Sequence, residues 1–278
     1  MNKSKFLLYR TCMLILLCLI LLFNGNLKAQ PIDYYKPMAL VNPGHFDIKE
    51  YSFTIGYDGG IDLNFSYTLP KNIALVAAGN VNVFKYNRKA SVDYTIHNNN
   101  FSGLAGLGYF KHRQYKFFNI VEMFVGARIS SVDNYIRKEN STSESSDDMT
   151  KAEYLTIFGQ LQTNALKKKY GLFFASRISL NNYQSFEFYR RSKTQISEIS
   201  GSFNLLSLEP AFGVTIPINN IRTNLQLGVS LPIYSEDAII TETFTASNTT
   251  NEFIESYGDF YFFWRLSFTY LKTKWKLR

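Results

Sequence analysis

The fold is decided by the stretch Ile221-Arg-Thr-Asn-Leu-Gln-Leu-Gly-Val-Ser-Leu231, in which two kinds of side chain alternate. Successive side chains of a β-strand point to opposite faces, so the mainly apolar odd-numbered residues share one face and the polar even-numbered ones share the other. Strands of about 9–11 residues with two such faces build transmembrane β-barrels. The same pattern recurs along the chain and predicts an all-β, antiparallel barrel in an outer membrane.

The pattern predicts ten strands. Their approximate ranges are 51–57, 61–69, 73–86, 101–110, 117–133, 153–164, 170–188, 203–216, 221–234 and 257–271. Tight turns and longer connections alternate after the first hairpin, as in barrels with short periplasmic turns and long extracellular loops. The extracellular loops include 87–100, 137–151 and 235–256. Ten is an even number, as single-chain bacterial barrels require, and eight strands are possible if the first hairpin lies outside the wall.

The start of the chain has the features of an export signal. Lys3, Lys5 and Arg10 precede an apolar run over about 13–23, and a polar stretch ends near Ala29. This order predicts a signal peptide over 1–29, with an apolar run too short to cross a bilayer as a helix. We expect an N-terminal periplasmic segment over 30–50, the barrel over 51–271 and a basic C-terminal tail over 272–278.

Composition narrows the classes of function. Both cysteines, Cys12 and Cys18, lie in the predicted signal, so the mature chain has no disulfide and no thiolate ligand. The chain has 30 basic and 22 acidic residues, but four of the basic residues and none of the acidic ones lie in the signal. The mature net charge is therefore +4 instead of +8, which removes the main support for a nucleic-acid-binding protein.

Charged residues on the polar faces point into the predicted barrel, because a charge facing lipid costs about 2–4 kcal/mol at the membrane midplane. The predicted interior set is Asp62, Glu122, Arg128, Arg177, Glu209, Arg222 and Arg265. Ten strands enclose a narrow interior, in which opposite charges should pair. The set is expected to be a structural ion network, and a narrow polar path for a small solute is the alternative.

The sequence offers little for catalysis. Its three histidines, His45, His97 and His112, are placed before the barrel, in an outer loop and in a periplasmic turn. His97 with the loop acids Asp147 and Asp148 could imitate a barrel protease, although no spacing supplies a triad. We expect a protein that is not an enzyme, with no catalytic residue, no metal site and no cofactor.

Four short segments resemble a family of small, porin-like outer-membrane β-barrel proteins of the Bacteroidota type. They are Tyr35-Lys36-Pro37 with Asn42, Gly103 to Phe110, Leu208-Glu209-Pro210-Ala211, and Gln226 to Pro232. The resemblance implies the barrel fold and a location in the outer membrane of a Gram-negative cell. It transfers no catalytic residue, since members of the family are largely without assigned function.

The expected function is non-enzymatic. We expect outer-membrane lipid around the barrel and a surface ligand or partner protein at loops 87–100, 137–151 and 235–256, because loops on a rigid scaffold commonly carry binding. A narrow small-solute transporter is one alternative and an outer-membrane hydrolase is another. The rival fold is a soluble periplasmic barrel or sandwich, which would turn residues such as Leu225 and Trp264 inward.

Overall fold

A computed structural model gives the structure of the chain, and all its described residues belong to the compact unit Asp33–Arg278. The described ranges are 38–45, 48–57, 60–88, 92–112, 118–140, 145–166, 170–191, 196–218, 220–244, 249–256 and 260–271. The predicted signal peptide and the predicted tail over 272–278 lie outside them. Within these ranges, no helix is long and apolar enough to cross a membrane.

The described chain forms twelve β-strands and one short 3-10 helix, Pro70–Asn72. The strands are Tyr51–Tyr57 (β1), Ile61–Leu69 (β2), Ile73–Arg88 (β3), Val92–His112 (β4), Ile120–Asn140 (β5), Ser145–Leu166 (β6), Gly171–Arg191 (β7), Ile196–Ile218 (β8), Ile221–Ser235 (β9), Asp237–Phe244 (β10), Thr249–Ser256 (β11) and Tyr261–Leu271 (β12).

Ten of these strands close into an antiparallel barrel. Each of β1 to β8 pairs with the next strand, β9 pairs with β12, and β12 returns to β1. The remaining hairpin, β10 and β11, is paired to residues 196–199 of β8 and lies outside the closed ring. The prediction of an all-β antiparallel barrel with ten wall strands is therefore confirmed.

Burial alternates along the wall as the two-faced pattern predicts. On β9 and β12, Leu225, Leu227, Phe262 and Trp264 are between 44% and 53% exposed, whereas Arg222 and Arg265 are buried. The large apolar side chains therefore face outward and the charged ones inward. A soluble barrel would bury this apolar face, so the rival soluble fold is wrong.

Strands β4 to β8 are longer than predicted. β4 to β8 have 21 to 23 residues each, and the connections between β3 and β4, β5 and β6, and β7 and β8 span only three or four residues. Most of 87–100, 137–151 and 235–256 is therefore strand that extends beyond the apolar part of the wall. The side-chain pattern could not predict these extensions. The hydrogen bonds between paired strands join main-chain groups, so pairing can continue where the side chains no longer alternate between apolar and polar.

We call the end of the barrel that carries the 70–72, 113–119, 167–170 and 219–220 connections the turn end, and the opposite end the loop end. Residues 30–37 and 46–47 of the predicted periplasmic segment lie outside the described ranges, and its periplasmic location stays a prediction. Residues 38–45, which we call the lumen segment, lie inside the barrel. All its residues except Asn42 are buried. Polar side chains of the inner wall bind this segment. The alternation of side chains along a strand does not predict such tertiary contacts.

Candidate functional site

The barrel interior is the candidate site, and all seven charged residues predicted for it are buried there. Their exposed fractions are 4% or less. They do not form one continuous network, however, but separate groups at different heights, and several bind the lumen segment instead of each other. Their role as a site stays a prediction, whereas their positions follow from the inward face of each strand.

Arg177 and Glu209 form an ion pair between neighbouring strands. The two residues lie directly opposite each other on β7 and β8, and Nε of Arg177 donates to Oε2 of Glu209. Ser179 Oγ donates to the same carboxylate at 3.2 Å, and Ser230 Oγ at 3.4 Å. The buried carboxylate therefore has charge-assisted and neutral donors, which offset part of its desolvation.

A second ion pair joins Arg265 of β12 to Asp62 of β2 across the intervening strand β1. The residue between them is Gly56, which faces Asp62 on one side and Ser267 on the other. A Cβ atom on Gly56 would lie 2.8 Å from Nε of Arg265 and 3.2 Å from Oδ2 of Asp62. The missing side chain of Gly56 is what lets the two charges meet.

Wall side chains bind the main chain of the lumen segment. Arg177 Nη2 donates to the carbonyl oxygen of Met38 at 2.5 Å, and Gln160 Nε2 to that of Val41 at 2.6 Å. Arg222 Nη1 donates to the carbonyl oxygens of Pro43 and Gly44 at 2.9 and 3.0 Å.

Gln226 binds the middle of the lumen segment through both ends of its side-chain amide. With the amide oriented to suit its partners, its oxygen accepts from the main-chain nitrogen of Leu40 at 3.1 Å. Its nitrogen donates to the carbonyl oxygen of Leu40 at 3.3 Å. The carbonyl groups of five residues between 38 and 44 are thus satisfied by the wall, as buried main-chain groups require.

His45 anchors the lumen segment at the turn end. Its Nδ1 lies 2.8 Å from Oε1 of Glu122, its main-chain nitrogen donates to the same oxygen at 3.0 Å, and its Nε2 lies 2.9 Å from Oγ of Ser66. Gln162 Nε2 donates to the other oxygen of Glu122. Glu122 is thus held by partners from the lumen segment and from β6.

Apolar side chains of the lumen segment pack on two sides of the interior. Met38 and Val41 belong to a buried cluster with Phe110, Phe124 and Phe158. Leu40 belongs to a different cluster, whose other members are Phe173, Ala175, Ala211 and Phe263. The inner wall is therefore not uniformly polar, since it carries two apolar surfaces that match the side chains of this segment.

Aromatic rings close the interior nearer the loop end. Tyr183 stacks on Phe203 with ring centroids 4.3 Å apart and packs 4.7 Å from Tyr154, and Phe186 meets Phe203 edge-on at 5.5 Å. Arg128 lies nearer the turn end than these rings, with its guanidinium carbon 5.6 Å from the centre of the Tyr154 ring. Wall side chains thus fill the lumen near these rings, and the lumen segment fills it nearer the turn end.

The residues considered for catalysis are not brought together. Asp147 and Asp148 are consecutive on β6, so their side chains point to opposite faces of the wall. Asp147 accepts from the Tyr135 hydroxyl at 3.2 Å, and Asp148 pairs with Arg190 at 2.9 Å. His97 is exposed on β4, opposite Tyr135. Among the described residues, no group of three or more His, Cys, Asp or Glu side chains could hold a metal ion.

The sequence prediction missed the residues that bind the lumen segment through amides. Gln160, Gln162 and Gln226 occupy inward positions of β6 and β9, so the alternation did contain a signal for them. His45 carried no such signal, because it precedes the first strand. The apolar, uncharged run Met38-Ala-Leu-Val41 was the remaining sign that this stretch is buried.

The fold and its interior define a closed antiparallel β-barrel of the transmembrane type with a filled lumen. No family model matches the chain, and no curated protein matches it. The translocator domain of the autotransporter NalP from Neisseria meningitidis is similar over 80% of this chain and 86% of that chain, with a TM-score of 0.41 and 10% identity. The resemblance to a Bacteroidota-type family stays a prediction.

Proposed function

We propose that the protein is a non-enzymatic outer-membrane barrel that acts as a structural or surface-binding protein at its loop end. The observation that carries the proposal is an apolar belt, by which we mean the outward residues nearest the turn end of each wall strand. On β7 it includes Phe174, Ile178 and Leu180, all of which are more than 40% exposed. Such a surface is unsuited to water and suited to lipid.

The belt has the height and the composition that a bilayer requires. It covers about nine to eleven residues of most wall strands, which for tilted strands corresponds to about 25 Å. Outward positions over residues 101–109 of β4 and 121–129 of β5 include no Asp, Glu, Lys or Arg. Lys111, at the turn end of β4, is an exposed charge at the border of the belt. Charged outward residues, such as Lys151 and Glu187, occur beyond the belt, towards the loop end.

The strand extensions support a role at the cell surface. β4 to β8 continue about ten residues past the belt, and the β10–β11 hairpin adds to the edge of β8 there. In an outer membrane whose periplasmic side is the turn end, these extensions would project outward. A hydrogen-bonded scaffold of this kind is suited to present the connections at its tip to a partner protein or ligand.

Cysteine labelling tests the membrane position of the belt, because the mature chain has no cysteine of its own. We expect Ile178→Cys in lipid vesicles to react with a lipid-soluble maleimide and to be protected from a water-soluble one. Glu187→Cys, nine residues further along β7, is the matched control and should react with the water-soluble reagent. Equal reaction of both positions with the water-soluble reagent would remove the membrane proposal.

A narrow small-solute path is the second candidate. The lumen segment favours it in one respect, because a separate stretch of chain, and not the wall itself, fills the turn-end half of the interior.

A non-enzymatic role also has its own test, since turnover of lipid or peptide substrates by the purified barrel would contradict it.

A further inference from the structure

The contacts of the lumen segment are those of a bound peptide. Its carbonyl groups at Met38, Leu40, Val41, Pro43 and Gly44 accept hydrogen bonds from wall side chains. Binding through main-chain groups holds a chain without specifying its side chains. The wall thus provides a row of donors for main-chain carbonyl groups, while the φ of +59° at Gly44 favours glycine at that position.

Selectivity comes from the apolar surfaces beside this row. Met38 and Val41 pack against one cluster and Leu40 against another, so side chains at these three positions must be apolar. A charged side chain in either place would be buried without a partner, which is strongly unfavourable. The site therefore fits a short segment with apolar residues at the positions of Met38, Leu40 and Val41.

The strand pairing of the wall is complete without the lumen segment. Its ten strands pair only with one another or with the β10 strand, and no ladder pairing of the described strands includes residues 38–45. The segment joins the wall through residues 46–50, among which Ile48 and Lys49 are exposed. Exchange of a ligand that is held by side chains would leave every strand pairing of the wall in place.

We propose that the turn-end half of the lumen is a binding site for a short peptide segment with apolar side chains at the positions of Met38, Leu40 and Val41. In this structure the chain's own residues 38–45 occupy it, and an equivalent segment of a second polypeptide takes their place when they are withdrawn. The site is separate from the surface role proposed for the loop end. It can be tested in detergent, without reference to membrane location.

The direct test uses a chain that folds with its own segment and is cut afterwards. A protease recognition sequence is inserted between Ile48 and Lys49 of the mature chain, and the folded, purified barrel is cleaved there. A labelled peptide of sequence Met38 to His45 is then added in excess. We expect saturable uptake of the label by the cut barrel, displacement by unlabelled peptide, and at least about tenfold weaker uptake by the uncut chain.

Peptide and wall variants show where the label binds. A peptide carrying Leu40→Asp should bind at least about tenfold more weakly, because its carboxylate would enter an apolar cluster. In the wall, Gln160→Leu should weaken binding of the parent peptide by about tenfold. Gln184→Leu is the matched control, since Gln184 is exposed on the outer surface of β7, and it should leave binding unchanged.

A second preparation is a chain that begins at residue 46 and is refolded in the same detergent. If it folds, we expect it to bind the peptide in the same saturable way. The proposal is overturned if neither preparation takes up the peptide. It is also overturned if the Leu40→Asp peptide binds as well as the parent, or if Gln160→Leu and Gln184→Leu have equal effects.

Discussion

At the scale of single residues, glycine decides which buried groups can meet. Gly56 leaves the space in which Arg265 reaches Asp62 over β1. Gly213 plays a related part on β8, where a Cβ atom would run into the ring of Phe173. The sequence does not distinguish these two glycines. The register between strands decides which neighbouring side chain occupies the space that each missing Cβ atom leaves.

We expect Gly56→Val to destabilise the barrel. The new side chain would occupy the space between Arg265 and Asp62, and overpacking of this kind costs about 1–3 kcal/mol in free energy of unfolding. Urea titration followed by tryptophan fluorescence measures the change. Gly159→Val is the control, because a Cβ atom there meets no atom within 4 Å. Equal unfolding midpoints for the two variants would contradict the assigned role of Gly56.

The buried pair of Arg177 and Glu209 provides a second test at this scale. Replacing Glu209 by Gln leaves the arginine charge buried beside a neutral amide, which we expect to lower the free energy of unfolding by about 3–5 kcal/mol. The half-exposed pair of Arg137 and Asp147, 3.8 Å apart, is the comparison. Asp147→Asn should cost about 1 kcal/mol or less, since solvent screens that pair. A similar cost for both substitutions would rule out the proposed difference.

At the scale of elements, the sequence predicts the faces of strands better than their ends. The alternation along β9 and β12 correctly separated outward Leu225 and Trp264 from inward Arg222 and Arg265. The alternation ends where the strands extend past the apolar belt, because an outward side chain that is surrounded by water need not be apolar. The extensions of β4 to β8 were therefore predicted as loops, although their main chains remain paired.

The β10–β11 hairpin should be dispensable for folding. It pairs with β8 over four residues only and lies outside the ring that β8, β9 and β12 complete. We expect a chain in which a short turn replaces residues 237–256 to keep its β-sheet circular dichroism and its resistance to protease. Removing β12, residues 261–271, is the contrasting change and should abolish both. Loss of structure in the first variant would show that the hairpin supports the wall.

At the scale of the whole molecule, a filled lumen should not conduct. The lumen segment and the aromatic rings around Tyr183 occupy successive levels of the interior. We expect no discrete conductance steps when the mature protein is inserted into a planar bilayer. The same preparation with a known porin added is the positive control. Reproducible steps from the protein alone would favour the small-solute path over the surface-binding role.

The overall architecture could be predicted because lipid and interior impose opposite demands on alternate side chains. Strand number, closure and the burial of all seven charged residues follow from that alternation. The position of the lumen segment does not, since it depends on where Arg177, Gln160 and Arg222 place their donors in space. Contacts between residues more than one hundred positions apart leave no local periodicity to detect.

The seam between β1 and β12 has a consequence for the order of assembly. It joins residues as distant in the chain as Thr54 and Thr269, whose hydroxyl groups are 2.8 Å apart. β12 therefore has to find β1 across a separation of 215 residues between Thr54 and Thr269, a step with a high entropic cost of loop closure. The barrel must therefore either close around residues 38–45 or admit them after closure, so the order of these two steps decides whether a newly closed barrel is filled or empty.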